Sequence, residues 1–305
     1  MIVDAAEMLL KSSATQVLPT HSPTHVAPVP SVVPDVHEQL IGASGERTLW
    51  VLFALMTIAS AVFAGWSLRF AVSARIYHVL ATLTTLISAI AYFFMATGQG
   101  SAIKHITIRH SNDHVPDTFT HIDRQIFWPR YIQWTLALPL ILLNLGILAG
   151  ISGAHILMAG TAGALMNFMG LFAAFGKENT PQKWGNYVIA LLSFLVVVWH
   201  LGLNGRAAVR EPSRGVAKFY TALATYTGLV WAAYLVVWGV ILGGHLTVNT
   251  EVITFAVLDV LSMGVFGLWL LLTVAKNAET NVELKGFWSQ GVSREGVLRL
   301  DDDGA

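Results

Sequence analysis

The sequence predicts an all-α fold, a bundle of seven transmembrane helices, and two observations carry the prediction. Of its 305 residues, 54% are hydrophobic and only 12% are charged, where an ordinary soluble domain carries about 25% charged residues. Seven stretches are apolar over close to the ~20 residues that a helix, rising ~1.5 Å per residue, needs to cross the hydrocarbon core. Lipid offers backbone groups no water, so such stretches close their hydrogen bonds internally as helices.

In chain order the spans run from Leu49 to Leu68, Val79 to Thr97, Tyr131 to Gly150, Ala154 to Phe175, Asn186 to Leu203, Phe219 to Gly243 and Ile253 to Ala275. Residues 1–46 read as a disordered tail, because Pro23, Pro28, Pro30 and Pro34 among Ser, Thr and His leave no core to bury. Residues 47–275 form the membrane domain, and 276–305 a polar cytoplasmic tail ending Asp301, Asp302, Asp303. The first ten residues hold Asp4 and Glu7 and no basic stretch, so no cleaved leader is expected. Gly98 to Trp128 reads as a flexible loop, and its His105, His110, His114 and His121 lack the spacing of a metal site, so no metal is expected.

Formal charge is zero with acids and bases scattered, which excludes a nucleic-acid partner, and the absence of cysteine excludes disulfides and thiolate sites. The chain's partner is the lipid bilayer. Arg69, Arg75, Arg206, Arg210, Arg214 and Lys218 crowd two short connections, while the connection before the last span has neither Lys nor Arg. By the positive-inside rule the N-terminus lies outside and the C-terminus in the cytoplasm.

The third span reads Arg130, Tyr131, Ile132, Gln133, Trp134, followed by Pro139, Leu140 and Asn144. The seventh reads Leu258, Asp259, Val260, Leu261, Ser262, Met263, Gly264, Val265, Phe266, Gly267, and the sixth carries Trp231, Tyr234 and Trp238. In this order the segments resemble the microbial rhodopsin family. The resemblance implies a seven-helix bundle whose sixth-helix aromatics wall a retinal pocket, with Asp259 as a counterion.

The same resemblance marks departures. Family members hold retinal through an imine to a lysine four residues after the seventh-helix Asp; that position is Met263, whose thioether forms no imine. A pump's acceptor carboxylate corresponds to Gln133 and its donor carboxylate to Asn144, and carboxamides do not titrate at physiological pH. Ala137 stands where the family commonly has a hydroxyl. The fungal branch includes opsin-related, heat-shock-induced plasma-membrane proteins with this lysine loss, and Gly286, Phe287, Trp288 through Leu298 and Arg299 look similar to their tails.

These departures lead to the expectation of a non-photochemical plasma-membrane stress or regulatory protein with no cofactor, retinal not being held covalently. Other plasma-membrane proteins would be its partners. Two alternatives stay open: a light-independent ion or proton conductor, and a receptor for a small apolar ligand held by Trp134, Trp231 and Tyr234. No nucleophile, base and orienter set appears, so no enzyme is expected. Asp259 reads as the sole acid within a span and Arg130 as its ion-pair partner. His155 and His200 are placed toward opposite membrane faces, and Gly160, Ala162, Gly163, Ala164 and Asn167 read as a close-packing surface.

Overall fold

The computed structural model describes residues 36–111, 118–178, 180–209 and 214–276. Seven helices in it are long and apolar enough to cross a membrane. They are α1 (Ala43–Ser67), α2 (Ile76–Ala96), α3 (Trp128–Ala149), α4 (Gly153–Phe175), α5 (Pro181–Val209), α6 (Arg214–Leu242) and α7 (Val248–Lys276). Two contain π-helical turns, His200–Asn204 in α5 and Val260–Val265 in α7. Each of α1 to α5 packs on the next, and α7 closes the ring against α1, α2 and α6.

The outer surface is apolar. Val51, Ile58, Leu157, Leu195, Leu229 and Val236 are each at least 60% exposed, an apolar display that a soluble monomer does not make. The protein is a multi-span membrane protein with this surface in lipid. Its interior is built on the third helix, where Trp134, Ala137, Leu138, Ile141 and Leu145 are almost wholly buried. Gly146 and Gly163 let α3 and α4 approach closely: a Cβ at Gly146 would stand 2.5 Å from Ile156, and one at Gly163 3.0 Å from Leu138. Asn167 donates to the Trp134 carbonyl at 3.0 Å across the same seam. Of the small residues expected to pack here, Ala162 and Gly163 are buried, while Gly160 and Ala164 sit at its half-exposed border.

Two sequence expectations are corrected. The segment between α2 and α3 is a hairpin, β2 (Ala102–His110) antiparallel to β3 (Thr118–Ile126), with Ala102 opposite Ile126 and His110 opposite Thr118. Lys104, Ile106 and Ile108 turn inward and alternate with exposed Ile103, His105, Thr107 and Arg109, the period of two that makes a half-buried strand. Likewise, the N-terminal segment is ordered well before residue 46. Val36–Gln39 forms β1, parallel to β3, and α1 begins at Ala43. Backbone groups left over there find side chains: Ile41 donates to Gln125 Oε1 and Gly42 to Asn249 Oδ1, each at 2.9 Å. The tails at 1–35 and 277–305, including Gly286 to Arg299, lie outside the described residues.

Candidate functional site in the bundle core

The start of α3 and the start of α7 share the sheet-capped end of the bundle, so polar side chains along the two helices meet in layers. The outermost layer is an acid between two bases. Glu251 accepts from Arg130 Nη1 at 3.0 Å and from Arg124 Nη2 at 2.7 Å, and all three side chains are 10% exposed or less. Arg124 also donates to Gln39 Oε1 at 2.8 Å and the Leu246 carbonyl at 3.0 Å, tying hairpin to bundle. The Arg130 guanidinium lies over the Phe255 ring at 4.8 Å, but its Nε and Nη2 find no partner among the described residues.

This arrangement corrects the expected pairing of Arg130 with Asp259. Glu251 precedes Asp259 by eight residues, roughly 12 Å along a helix, and stands level with the first turn of α3. Asp259 lies deeper and meets the next turn. Glu251 was passed over because Asn249 and Thr250 beside it end the apolar run, and an acid in a helix's first turn is ordinary capping. Asp259 is therefore one of two acids in the seventh spanning helix.

At the centre, Asp259 is wholly buried and gathers four side-chain donors. Tyr92 donates to Oδ2 at 2.6 Å and Gln133 Nε2 to the same oxygen at 3.0 Å. Trp134 Nε1 donates to Oδ1 at 2.7 Å, and the Tyr234 hydroxyl also donates there. A carboxylate offers about four acceptor sites, so these donors saturate it. Gln133 Nε2 further approaches Ser88 Oγ at 3.1 Å and Met263 Sδ at 3.5 Å, while its Oε1 has no partner. Ser262 Oγ sits 2.9 Å from the Tyr234 hydroxyl. Tyr92 and Ser88, one turn apart on α2, went unnoticed in the sequence because Ser and Tyr in an apolar helix read as tolerated packing.

Beyond this layer the core turns apolar. Asn144, 11 residues past Gln133 and so about 16 Å along the helix, is buried with both amide atoms unpartnered. Trp134, Tyr234 and Trp231 are brought together as the sequence suggested: ring centroids lie 5.0 Å apart for Trp134 and Tyr234, and 4.6 Å for Trp231 and Tyr234. Trp231 also borders a cavity of about 300 Å³ with Leu138, Leu142, Phe194, Val197 and Leu201.

Outside the bundle, Glu178 joins Lys104 at 2.7 Å and Lys183, whose ammonium also reaches the Leu242 carbonyl at 2.6 Å. Burial pushes the Glu178 carboxyl up, but hydrogen bonds from the two lysines outweigh it and hold the group below the ordinary carboxylate value. Burial likewise lowers the Lys104 ammonium despite its bond to Glu178.

Residues 45–277, which contain all of these layers, match the family described as Bacteriorhodopsin-like protein. The chain belongs to that family. Its relatives include Opsin-1 of Neurospora crassa, 45% identical over 95% of this chain and 97% of that protein. Opsin-like protein carO of Fusarium fujikuroi is 30% identical over 76% of this chain and 74% of its own. Among solved structures, the light-driven proton pump LR (Mac) from Leptosphaeria maculans is 50% identical with a TM-score of 0.78, covering 80% of this chain and 99% of that one. Halorhodopsin, a light-driven chloride pump, is 28% identical with a TM-score of 0.68, covering 79% and 99%.

These relatives overturn two expectations. A non-photochemical stress or regulatory protein does not fit a chain whose similarity runs the length of opsins and light-driven pumps, and the expectation of no cofactor falls with it, since retinal is the cofactor expected of a bacteriorhodopsin-like chain. The residues themselves fit retinal unevenly. The aromatic walls and the adjoining apolar cavity suit a polyene. Among the described residues no imine-forming amine stands at the centre: Met263 occupies the position, and Lys104, Lys177, Lys183, Lys218 and Lys276 all lie toward helix ends or in the segments between helices.

Proposed function

We propose that this bacteriorhodopsin-like protein moves protons across the membrane along the axis between α3 and α7. The observation that carries the reading is Asp259, an acid at the centre of the bundle held by Tyr92, Gln133, Trp134 and Tyr234. Intramembrane acids are expensive and functional by default. Glu251 supplies a second buried carboxyl group, between Asp259 and the sheet-capped end. The similarity to the light-driven proton pump from Leptosphaeria maculans supports the choice of ion.

In this reading Arg130 and Gln133 set the charge and hydrogen bonding of the half-path near the sheet, and Asn144 marks the opposite half. Trp134, Trp231, Tyr234 and Trp238 are the residues that would hold retinal, which supplies light absorption. With Met263 at the lysine position, no step of the proton path is routed through it.

Proteoliposomes carrying a trapped pH dye, with retinal supplied, provide the test in darkness and in light. The wild-type chain is expected to carry protons, and Asp259→Asn to reduce the flux at least about a hundredfold, the low end of what a single proton-transferring group contributes. A folded wild-type chain that moves no protons in either condition ends the proposal.

Loop charge supports a further placement, an orientation with the N-terminal strand and hairpin outside. The chain has no native cysteine, so His105→Cys on the hairpin and Lys218→Cys near the opposite end report sidedness cleanly. An impermeant thiol reagent on intact cells should label residue 105 and spare residue 218; the reverse pattern inverts the topology.

A further inference from the structure

Far from the sheet-capped end, the antiparallel run of α4 and α5 brings the first turn of α4 beside the π-helical turn near the end of α5. His155 and His200, expected on opposite faces, therefore touch: their Nδ1 atoms are 3.2 Å apart. Consecutive helices run in opposite directions, so the start of α4 and the end of α5 lie at the same end of the bundle. Asn204, four residues after His200 on the same face of α5, closes a triangle, its amide Nδ2 lying 3.1 Å from His200 Nδ1 and 3.5 Å from His155 Nδ1.

We propose that His155, His200 and Asn204 form a binding site for one divalent transition-metal ion. Two ligands at ~2.05 Å from a tetrahedral zinc ion stand about 3.3 Å apart, and the triangle has edges of 3.2, 3.1 and 3.5 Å. Imidazole nitrogens are the ligands that zinc, copper and nickel prefer. The carboxamide oxygen and nitrogen are interchangeable by a half-turn of the amide, which puts Asn204 Oδ1 where the nitrogen stands. His155 is exposed, Asn204 half-buried and His200 only 7% exposed. An ion can thus enter without opening the bundle, with a fourth position left for water. The π-helical turn that carries both α5 ligands, His200 through Asn204, is a feature found frequently at functional sites. The alternative is an imidazole–imidazole hydrogen bond with one Nδ1 protonated.

The full chain in detergent, titrated with zinc against a chromophoric chelator, separates the two. One ion per chain is expected. His155→Ala, at an exposed position that leaves the core intact, should weaken binding at least about tenfold, the lower bound for losing even an indirect metal contact. Asn204→Asp should tighten it, because a carboxylate adds charge to the same position. Replacing His105, His110 and His121 on the hairpin together should leave it unchanged. Absence of zinc uptake by the wild-type chain overturns the site, as does equal affinity in wild type, His155→Ala and Asn204→Asp, which would assign the metal elsewhere.

Discussion

Glu251→Gln is expected to lower the stability of the protein in detergent by about 3 to 5 kcal/mol, the cost of removing one partner from a buried ion pair. The single carboxylate faces two guanidinium groups, Arg124 at 2.7 Å and Arg130 at 3.0 Å. Arg124 keeps the Gln39 side chain and the Leu246 carbonyl as partners. Arg130 keeps only ring faces, with two of its nitrogens already unpartnered. Adding Arg130→Gln to the Glu251 variant should therefore recover much of the loss, since it removes the charge left without compensation. Adding Arg130→Gln to Asp259→Asn should recover less, because Asp259 is bonded to hydroxyl, amide and indole groups. Thermal unfolding of these variants yields two double-mutant cycles, and residues in contact show the larger interaction energy. A larger coupling for Arg130 with Asp259 than with Glu251 would restore the pairing that the sequence suggested.

That pairing shows where sequence reading reached its limit. The seven helices were legible because hydrophobic length is a local property, and Asp259, Gln133, Trp134 and Trp231 were legible because the segments of the third, sixth and seventh spans that hold them resemble, in that order, those of the microbial rhodopsins. Which acid meets Arg130 depends on the relative height of α3 and α7, set by the sheet through Gln125, Asn249 and Arg124. No single helix encodes that height. The sheet itself was hidden because Lys104 and the histidines dilute its hydrophobicity, although Ile106, Thr107 and Ile108 are β-branched and the inward residues alternate. The His155 and His200 contact was equally a matter of chain direction between helices. Function was less legible for another reason: the departures at Met263, Gln133 and Asn144 are local, whereas the similarity to opsins and light-driven pumps runs the length of the chain.

Met263→Lys should give a protein that takes up all-trans retinal as a covalent adduct at residue 263, with a visible absorption band that hydroxylamine removes. Gln133 Nε2 lies 3.0 Å from Asp259 Oδ2 and 3.5 Å from Met263 Sδ, so the acid and residue 263 already face the same group. A lysine there has a chain of similar length and places its nitrogen beside a carboxylate that Tyr92, Trp134 and Tyr234 hold in position. The buried positive charge thus meets a negative one, the condition under which such a charge is tolerated in a membrane core. Met263 is 1% exposed, so the substitution is confined to the centre, where the stacked Trp231 and Tyr234 rings and the neighbouring cavity give a polyene its walls. Adding Gln133→Asp supplies a second carboxylate and should move the loss of the protonated band to higher pH, because a nearby opposite charge favours the protonated form. Borohydride trapping followed by peptide mass spectrometry locates the adduct. A folded Met263→Lys protein that forms none, with or without Gln133→Asp, would show that the aromatic rings pack as a closed core and that retinal has no seat between them.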